Sequence, residues 1–343
     1  MNSEPPTSQG AAAPRVREIY LAGGCFWGVS AFLKRLPGVA SCAVGYANGL
    51  PEVENPSYEE VCSGRTRCAE TVRAEYDPRT LPLPLLLEGF LSIIDPTSLN
   101  RQGGDVGTQY RTGIYWTDPA DEQPVRDALY RLQRRLFAEG RGRVAVEALP
   151  LSSFWPAEEY HQDYLDKNPG GYCHVDLGAA ERFVASHERD FQIAAAGYER
   201  PDDEAIERDL DPLAFEVTQH AATERPWSSE LDGQFRRGIY VDRVTGQPLF
   251  ASADKFESGC GWPAFARPIA ESALVERADA TIPGRPRVEV RSSVGGSHLG
   301  HVFEDGPEEL GGLRYCINGA ALEFVPLEDM DARGYGYLKG VAE

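Results

Sequence analysis

The sequence predicts two unlike domains in one chain, an α+β two-layer domain followed by a mainly antiparallel β domain. In the first half, strand-like runs alternate with helical patterns: residues 18–22 are apolar, and Val29, Phe32, Leu33 and Leu36 then fall on one helical face. The second half holds short alternating runs at 238–241, 248–250, 287–291, 301–303 and 321–326, separated by Gly and Pro turns, with no long helical pattern between them. A chain of 343 residues with 42% hydrophobic content is long enough for two separate cores. The expected organisation is a loose tail over 1–14, a first domain over 15–184, a linker and lead-in helix over 185–210, and a second domain over 211–340.

The first domain turns on Gly24-Cys25-Phe26-Trp27-Gly28, where the apolar run hands over to the helix. Cys25 is thereby placed at a helix N-terminus, where unpaired N–H groups and the positive end of the dipole favour a thiolate. Its sulfur is expected to ionise more readily than a free cysteine. The competing reading is a buried structural cysteine. The flanking glycines allow close approach to the backbone, and Phe26 and Trp27 offer an apolar wall beside a nucleophile, which is the pattern of a pocket. Residues 39–46 are predicted as a strand ending in the turn Ala47-Asn48-Gly49, with Cys42 a packing residue. A turn at Asn55-Pro56-Ser57-Tyr58 follows, and the second part of 68–76 alternates as a strand with Glu70 at its entrance. A glutamate there is ordinarily solvated. Facing the Cys25 pocket it would be desolvated, its pKa raised, and it would act as a proton donor.

Residues 83–94 are apolar enough for a largely buried helix, stopped by Asp95-Pro96. The glycine-rich stretch 100–111 is polar without a hydrophobic period and suits the lining of a site; it lacks the phosphate-binding loop pattern. A strand over 112–116 and a helix over 124–137 follow, the latter with Val125, Leu129, Leu132 and Leu136 as its core face. Residues 143–149 read as a strand and 156–165 as a short helix carrying His161 and Tyr164. The exit, Asn168-Pro169-Gly170-Gly171-Tyr172-Cys173-His174, is a flexible loop, and a mobile, accessible cysteine is what a resolving thiol requires.

Gly24-Cys25-Phe26-Trp27-Gly28, Tyr58, Ala69-Glu70, Asp105-x-Gly107-Thr108-Gln109-Tyr110-Arg111 and Gly171-Tyr172-Cys173 together resemble methionine sulfoxide reductase A over about residues 15–180. The resemblance implies Cys25 as nucleophile, Glu70 as acid, Tyr58 and Tyr110 as hydroxyl donors to the sulfoxide oxygen, Cys173 as the resolving cysteine, and Phe26 and Trp27 around the methyl group. Asp105 and Tyr164 match further site positions as support. One departure is Cys68, which stands where the family usually has His and adds a thiol near the acid.

In the second domain Cys260 lies in Ser258-Gly259-Cys260-Gly261-Trp262-Pro263, Cys316 in Leu313-Arg314-Tyr315-Cys316-Ile317-Asn318, and His298-Leu299-Gly300-His301 between them. Two readings compete: a zinc site, for which lone cysteines are poorly spaced, and thiol chemistry with the histidines as proton donors and Arg314 lowering the Cys316 pKa. These motifs resemble methionine sulfoxide reductase B over about residues 211–340. The match implies Cys316 as nucleophile, Cys260 as resolving cysteine, His298, His301 and Asn318 around the sulfoxide oxygen and Trp262 against the methyl, with Arg314 and Asp305 also matching. Many members bind a structural zinc through two C-x-x-C pairs. Here Val241-Asp242-Arg243-Val244-Thr245-Gly246 stands in place of the first pair, so the zinc-free form is expected.

Thirty-four basic against 53 acidic residues give a net charge of −19, which argues against nucleic acid as partner. The seven cysteines contain no C-x-x-C pair, too few for a disulfide scaffold, and Cys42, Cys62 and Cys68 have no assigned role. Residues 1–14 lack a basic start and an apolar signal core, so a cytoplasmic location without membrane attachment is expected. The reaction expected is reduction of both epimers of methionine sulfoxide with no bound cofactor, the enzyme being recycled by thioredoxin or a similar dithiol. A peroxide-reducing thiol enzyme and a redox-sensing or metal-binding module are the rival readings.

Overall fold

The computed structural model describes residues 16–176 and 178–342; the predicted tail, 1–14, lies outside them. The first half is built on one mixed sheet. Strand β1 (Arg17–Gly23) runs into α1 (Phe26–Leu33); β2 (Val39–Ala47), α2 (Tyr58–Cys62), β3 (Ala69–Tyr76) and α3 (Leu83–Ser92) follow. A ribbon of β4 (Arg101–Gln102) and β5 (Asp105–Val106) leads to β6 (Thr112–Trp116), α4 (Glu122–Ala138), β7 (Glu147–Pro150), β8 (Phe154–Pro156) and α5 (Tyr164–Lys167). The strand order is β7-β6-β1-β3-β2-β8, with β6 and β7 parallel and the other pairs antiparallel.

Period-two alternation sorts the two faces of this sheet. Ile19, Leu21, Val44, Val72, Ala74 and Ile114 pack with the apolar sides of α1, α3 and α4, whereas Tyr20, Ala22, Ala69 and Tyr115 form a small cluster with Leu151 and Phe154 on the other face. The helices thus form one layer and the sheet the other, as the sequence predicts. Glu70 shares its face with Val72 and Ala74, so the strand aims it at the helix layer rather than at solvent.

Two local expectations change. The predicted helix over 156–165 is mostly turns: only Tyr164–Lys167 is helical, after Asp163 in the left-handed region at φ 55°. The reason is Gln162, whose side-chain amide bonds both the N–H and the carbonyl of Val44 at 3.0 and 2.9 Å and so pairs with the strand as a backbone would. The predicted strand over 143–149 begins later, at Glu147, where pairing with β6 starts.

The chain then passes through α6 (Ala179–Ser186), α7 (Glu188–Ala195), α8 (Asp203–Asp209) and α9 (Pro212–His220), so most of the expected linker is helical. Asp202 and Asp211 cap α8 and α9 through their side chains. The remaining elements are β9 (Gly238–Asp242), β10 (Pro248–Ala251), β11 (Ala264–Phe265), β12 (Leu274–Asp279), β13 (Arg287–Ser292), β14 (His298–Phe303), β15 (Arg314–Ile317), β16 (Leu322–Pro326) and α10 (Lys339–Ala342). They form two antiparallel sheets, β10-β9-β16 and β11-β15-β14-β13-β12, around one core that includes Ile239, Phe250, Phe265, Leu299, Ile317 and Val325. Strand β12 escapes the pattern reading because its sequence, Leu-Val-Glu-Arg-Ala-Asp, carries charge on both faces. It is an edge strand, a place where charged residues are expected.

Candidate active sites

Cys25 is the residue immediately before α1 and is 6% exposed. The helix end brings Glu70 to it: the Phe26 N–H, one of the orphan donors of the first turn, donates to Glu70 Oε2 at 3.2 Å. Glu70 is 1% exposed. Burial pushes its pKa up to about 8, opposed by the Phe26 hydrogen bond and reinforced by Asp105, so the carboxyl holds a proton at neutral pH. The expected easily ionised thiol is not what the site contains. Burial, then the negative charge of Glu70, pushes the Cys25 thiol well above its ordinary range, and the Trp27 N–H offsets only part of this. In the resting site both partners are therefore protonated.

Aromatic rings wall this centre. Trp27 stacks on Tyr164 with centroids 3.7 Å apart, and Phe26 packs 6.0 Å from Tyr46. Tyr58 opens α2, and burial first, with Glu70 among the charged groups around them, raises the Tyr58 and Tyr110 hydroxyls. Tyr58 is held from a residue not singled out in the sequence. Glu158 accepts from the Tyr58 N–H and the Tyr46 hydroxyl, each at 2.8 Å. His161, to which the sequence assigns no role, is buried with its ring against Phe26, Trp27 and Tyr58, and neither ring nitrogen has a hydrogen-bond partner. Asp105 accepts from the Tyr172 hydroxyl at 3.3 Å.

Cys173 is half-buried, its thiol donating to the Val175 carbonyl at 3.0 Å. It rests on α1 because residue 28 is glycine: a Cβ there would lie 3.0 Å from Cys173 Sγ. Cys68 packs against Gly49, and the groups acting on the Glu70 carboxyl are Phe26 and Asp105 rather than that thiol. Cys62 is exposed, and burial outweighs the neighbouring Tyr58 hydroxyl to raise its pKa.

The second centre is a sheet site. Cys316 on β15 faces Ala264 on one side and His301 on the other. Strand β14 approaches closely at Gly300, where any Cβ would strike the Cys316 carbonyl. Cys260 Sγ lies 3.4 Å from Cys316 Sγ and accepts from Ser258 Oγ at 2.9 Å. The Ser258 and Trp262 contacts, Cys316 and Arg314 bring the Cys260 pKa down against burial. Cys316 is pushed up to about 12 by burial and by Cys260. Arg314 pulls in the expected direction but is outweighed. Both Asp305 oxygens hold the Arg314 guanidinium at 2.8 Å, and it lies over the Phe303 ring.

His298 Nδ1 is 2.7 Å from Glu289 Oε1, while its buried Nε2 has no hydrogen-bond partner. His301 Nε2 contacts Asp279 Oδ2 at 2.8 Å, and burial outweighs that carboxylate to keep its pKa low. Asn318 donates to the Leu299 carbonyl at 3.0 Å and accepts from the Glu224 N–H at 3.0 Å; Trp262 Nε1 donates to the Glu224 carbonyl at 3.2 Å. Glu224, buried, also takes the N–H groups of Gly319 and Ala320, so this unforeseen residue ties together the turn after Cys316. Nothing near it in sequence signals that role, since its partners lie 38 residues away at Trp262 and 94 to 96 away at Asn318, Gly319 and Ala320.

Where the first metal-binding pair of the zinc form would fall, buried Asp242 accepts from Thr245 and Ser292 hydroxyls at 2.9 Å and from Ser297 at 3.3 Å. One carboxylate closed by hydroxyls does not fit zinc, which wants thiolate or imidazole. Among the described residues no group of three or more His, Cys, Asp or Glu could hold a metal ion, and no helix is long and apolar enough to cross a membrane.

Comparison with known proteins brings the two centres under separate families. The peptide methionine sulfoxide reductase family matches residues 17–191 and the SelR domain matches residues 210–326. Among solved structures, methionine sulfoxide reductase A of Corynebacterium diphtheriae is 39% identical, covering 47% of this chain and 79% of that one with a TM-score of 0.45. Reduced Mxr1 from Saccharomyces cerevisiae is 37% identical, covering 47% of this chain and 92% of its own at a TM-score of 0.44. Mxr1 in complex with Trx2 is 24% identical, covering 43% and 84% respectively at a TM-score of 0.31.

Proposed function

The chain belongs to the peptide methionine sulfoxide reductase family through its first half and carries a SelR domain in its second, and from that premise we propose that its two thiol centres reduce opposite epimers of methionine sulfoxide. The chain is an oxidoreductase acting on methionine sulfoxide; the division of labour assigns the S epimer to residues 15–184 and the R epimer to residues 211–340, since reduction needs one centre per configuration. The observation that carries the reading is the pair of free thiols Cys260 and Cys316, 3.4 Å apart on the second half.

In the first centre the Glu70 carboxyl is protonated when substrate arrives and stands beside the thiol. The sulfoxide oxygen takes the Glu70 proton while Tyr58 and Tyr110 hydrogen-bond it, and Cys25, passing its own proton to the Glu70 carboxylate so formed, bonds to the sulfoxide sulfur. Collapse transfers the oxygen to Cys25 as sulfenic acid and releases the thioether. Cys173 then attacks the sulfenic sulfur; water leaves and a disulfide remains, which an external dithiol such as thioredoxin reduces. The second centre follows the same course with Cys316 attacking, the free His298 Nε2 supplying the proton and His301, held by Asp279, beside it, Asn318 holding the oxygen and Cys260 resolving. Arg314 stabilises the thiolate as it forms, and Trp262 holds the methyl group. None of these steps calls on a bound cofactor.

The test is reduction of the separate epimers with a thioredoxin system. Cys25→Ser abolishes S-epimer turnover and spares R, and Cys316→Ser does the reverse. Loss of both epimers in either variant, or turnover of neither by the unmodified chain, overturns the assignment.

A further inference from the structure

The two halves meet along α4. Asp127, Arg131 and Arg134 recur on this helix at i, i+4 and i+7 and therefore share one face, and each reaches the edge strand β12. Arg277 Nε donates to Asp127 Oδ2 at 2.9 Å, Arg131 donates to the Leu274 carbonyl at 3.1 Å, and Arg134 Nη1 meets Glu276 Oε2 at 2.7 Å. A helix of the first domain thus covers the open edge of the sheet that carries the second thiol.

Arg134 does more than cover it. Its other nitrogen, Nη2, reaches Glu304 at 3.0 Å, so one guanidinium grips two carboxylates on two strands' worth of chain. Both lead directly to the reacting cysteine. Glu276 Oε1 accepts from the buried Tyr315 hydroxyl at 3.2 Å, and Tyr315 precedes Cys316. Glu304 precedes Asp305, whose two oxygens hold Arg314. The Arg134–Glu276 pair is largely shielded, with side-chain exposures of 24% and 11%, so it escapes most of the solvent and salt screening that weakens surface pairs.

We infer that Arg134, a residue of the first reductase domain, positions the nucleophile strand of the second, so that the two activities share a mechanical part although each has its own thiol. The inference rests on reading Cys316 as the second nucleophile. The fork geometry matters: a lysine in place of Arg134 supplies one point charge and cannot span both acids.

The full chain carrying Arg134→Ala, Arg134→Lys or Glu276→Gln is assayed on both epimers. Arg134→Ala lowers kcat for the R epimer by about fivefold, changes its KM by less than about twofold, and leaves the S epimer unaltered. Arg134→Lys restores part of the loss, and the Arg134→Ala/Glu276→Gln double variant is no worse than the poorer single one, because both remove the same link. An unchanged R rate, or R and S rates falling in proportion, overturns the inference. Turnover of neither epimer by the unmodified chain overturns the functional reading instead; the positioning role is then read from amide exchange over residues 314–317, which accelerates in Arg134→Ala if the link exists and stays unchanged if it does not.

Discussion

Glu70 shows how one residue's neighbours set its chemistry. A glutamate at the start of a strand reads as solvated until the strand's face is known, and the period-two pattern of Val72, Ala74 and Tyr76 is what turns it inward. Once inside, its carboxyl titrates near 8 and stays protonated below that. A donor that must be protonated loses function as pH rises through its pKa, so kcat/KM for the S epimer falls above about pH 8, and Glu70→Gln removes that limb while lowering the plateau by about 10²-fold, the usual range for a general acid. A pH–rate profile of both proteins decides it; a profile flat to pH 10 in the unmodified enzyme would show that Glu70 is not the donor. Cys25 teaches the reverse lesson. Its position before a helix was legible, yet burial and the adjacent acid outweigh the helix terminus in the resting state, and only the fold reveals how deeply the sulfur sits.

At the scale of elements, close approach decides where the partner thiols stand. The loop holding Cys173 lies on α1 at Gly28, where an added Cβ would come within 2.9 Å of Val175 Cγ2 and 3.0 Å of Cys173 Sγ. Under the proposed chemistry, Gly28→Ala pushes the Cys173 loop outward: steady-state turnover of the S epimer with thioredoxin drops by about tenfold, while the single-turnover burst of methionine, which that proposal assigns to Cys25 and Glu70, is kept. Quenched-flow measurement of burst and steady state separates the two, and an equal loss in both would place Gly28's role in folding instead. The flanking glycines were readable as an invitation to approach; what approaches was not, since 145 residues separate Gly28 from Cys173. The same limit hid the turns at 157–163, where Gln162 takes up a strand's hydrogen bonds across 118 residues of chain.

The whole molecule is joined by more than a tether. Phe191 packs on the first core and Ile193, two residues later on α7, is buried in the second, while Asp190 Oδ1 accepts from the Ser272 N–H at 2.7 Å. With α4 clamped on β12 as well, the halves unfold together: calorimetry gives one transition, and the Asp127→Ala/Arg131→Ala variant splits it in two. Two transitions in the unmodified protein would refute this. Ile193→Ala costs about 2–5 kcal/mol, the range for truncating a buried isoleucine, and lowers the midpoint of that single transition. By itself the sequence determined the two fold classes, the family of each half and most strands and helices, because apolar periodicity, turn residues and short motifs are local and survive without coordinates. Only the tertiary structure decided which carboxylates are buried, which distant partners Glu158, Glu224 and Glu289 hold, and that Arg134 of one domain reaches Glu276 on β12 of the other, which in turn accepts from Tyr315 beside Cys316. Burial and long-range hydrogen bonds depend on which distant segments meet, and a polar stripe that docks on a neighbour has the same pattern as one that faces water.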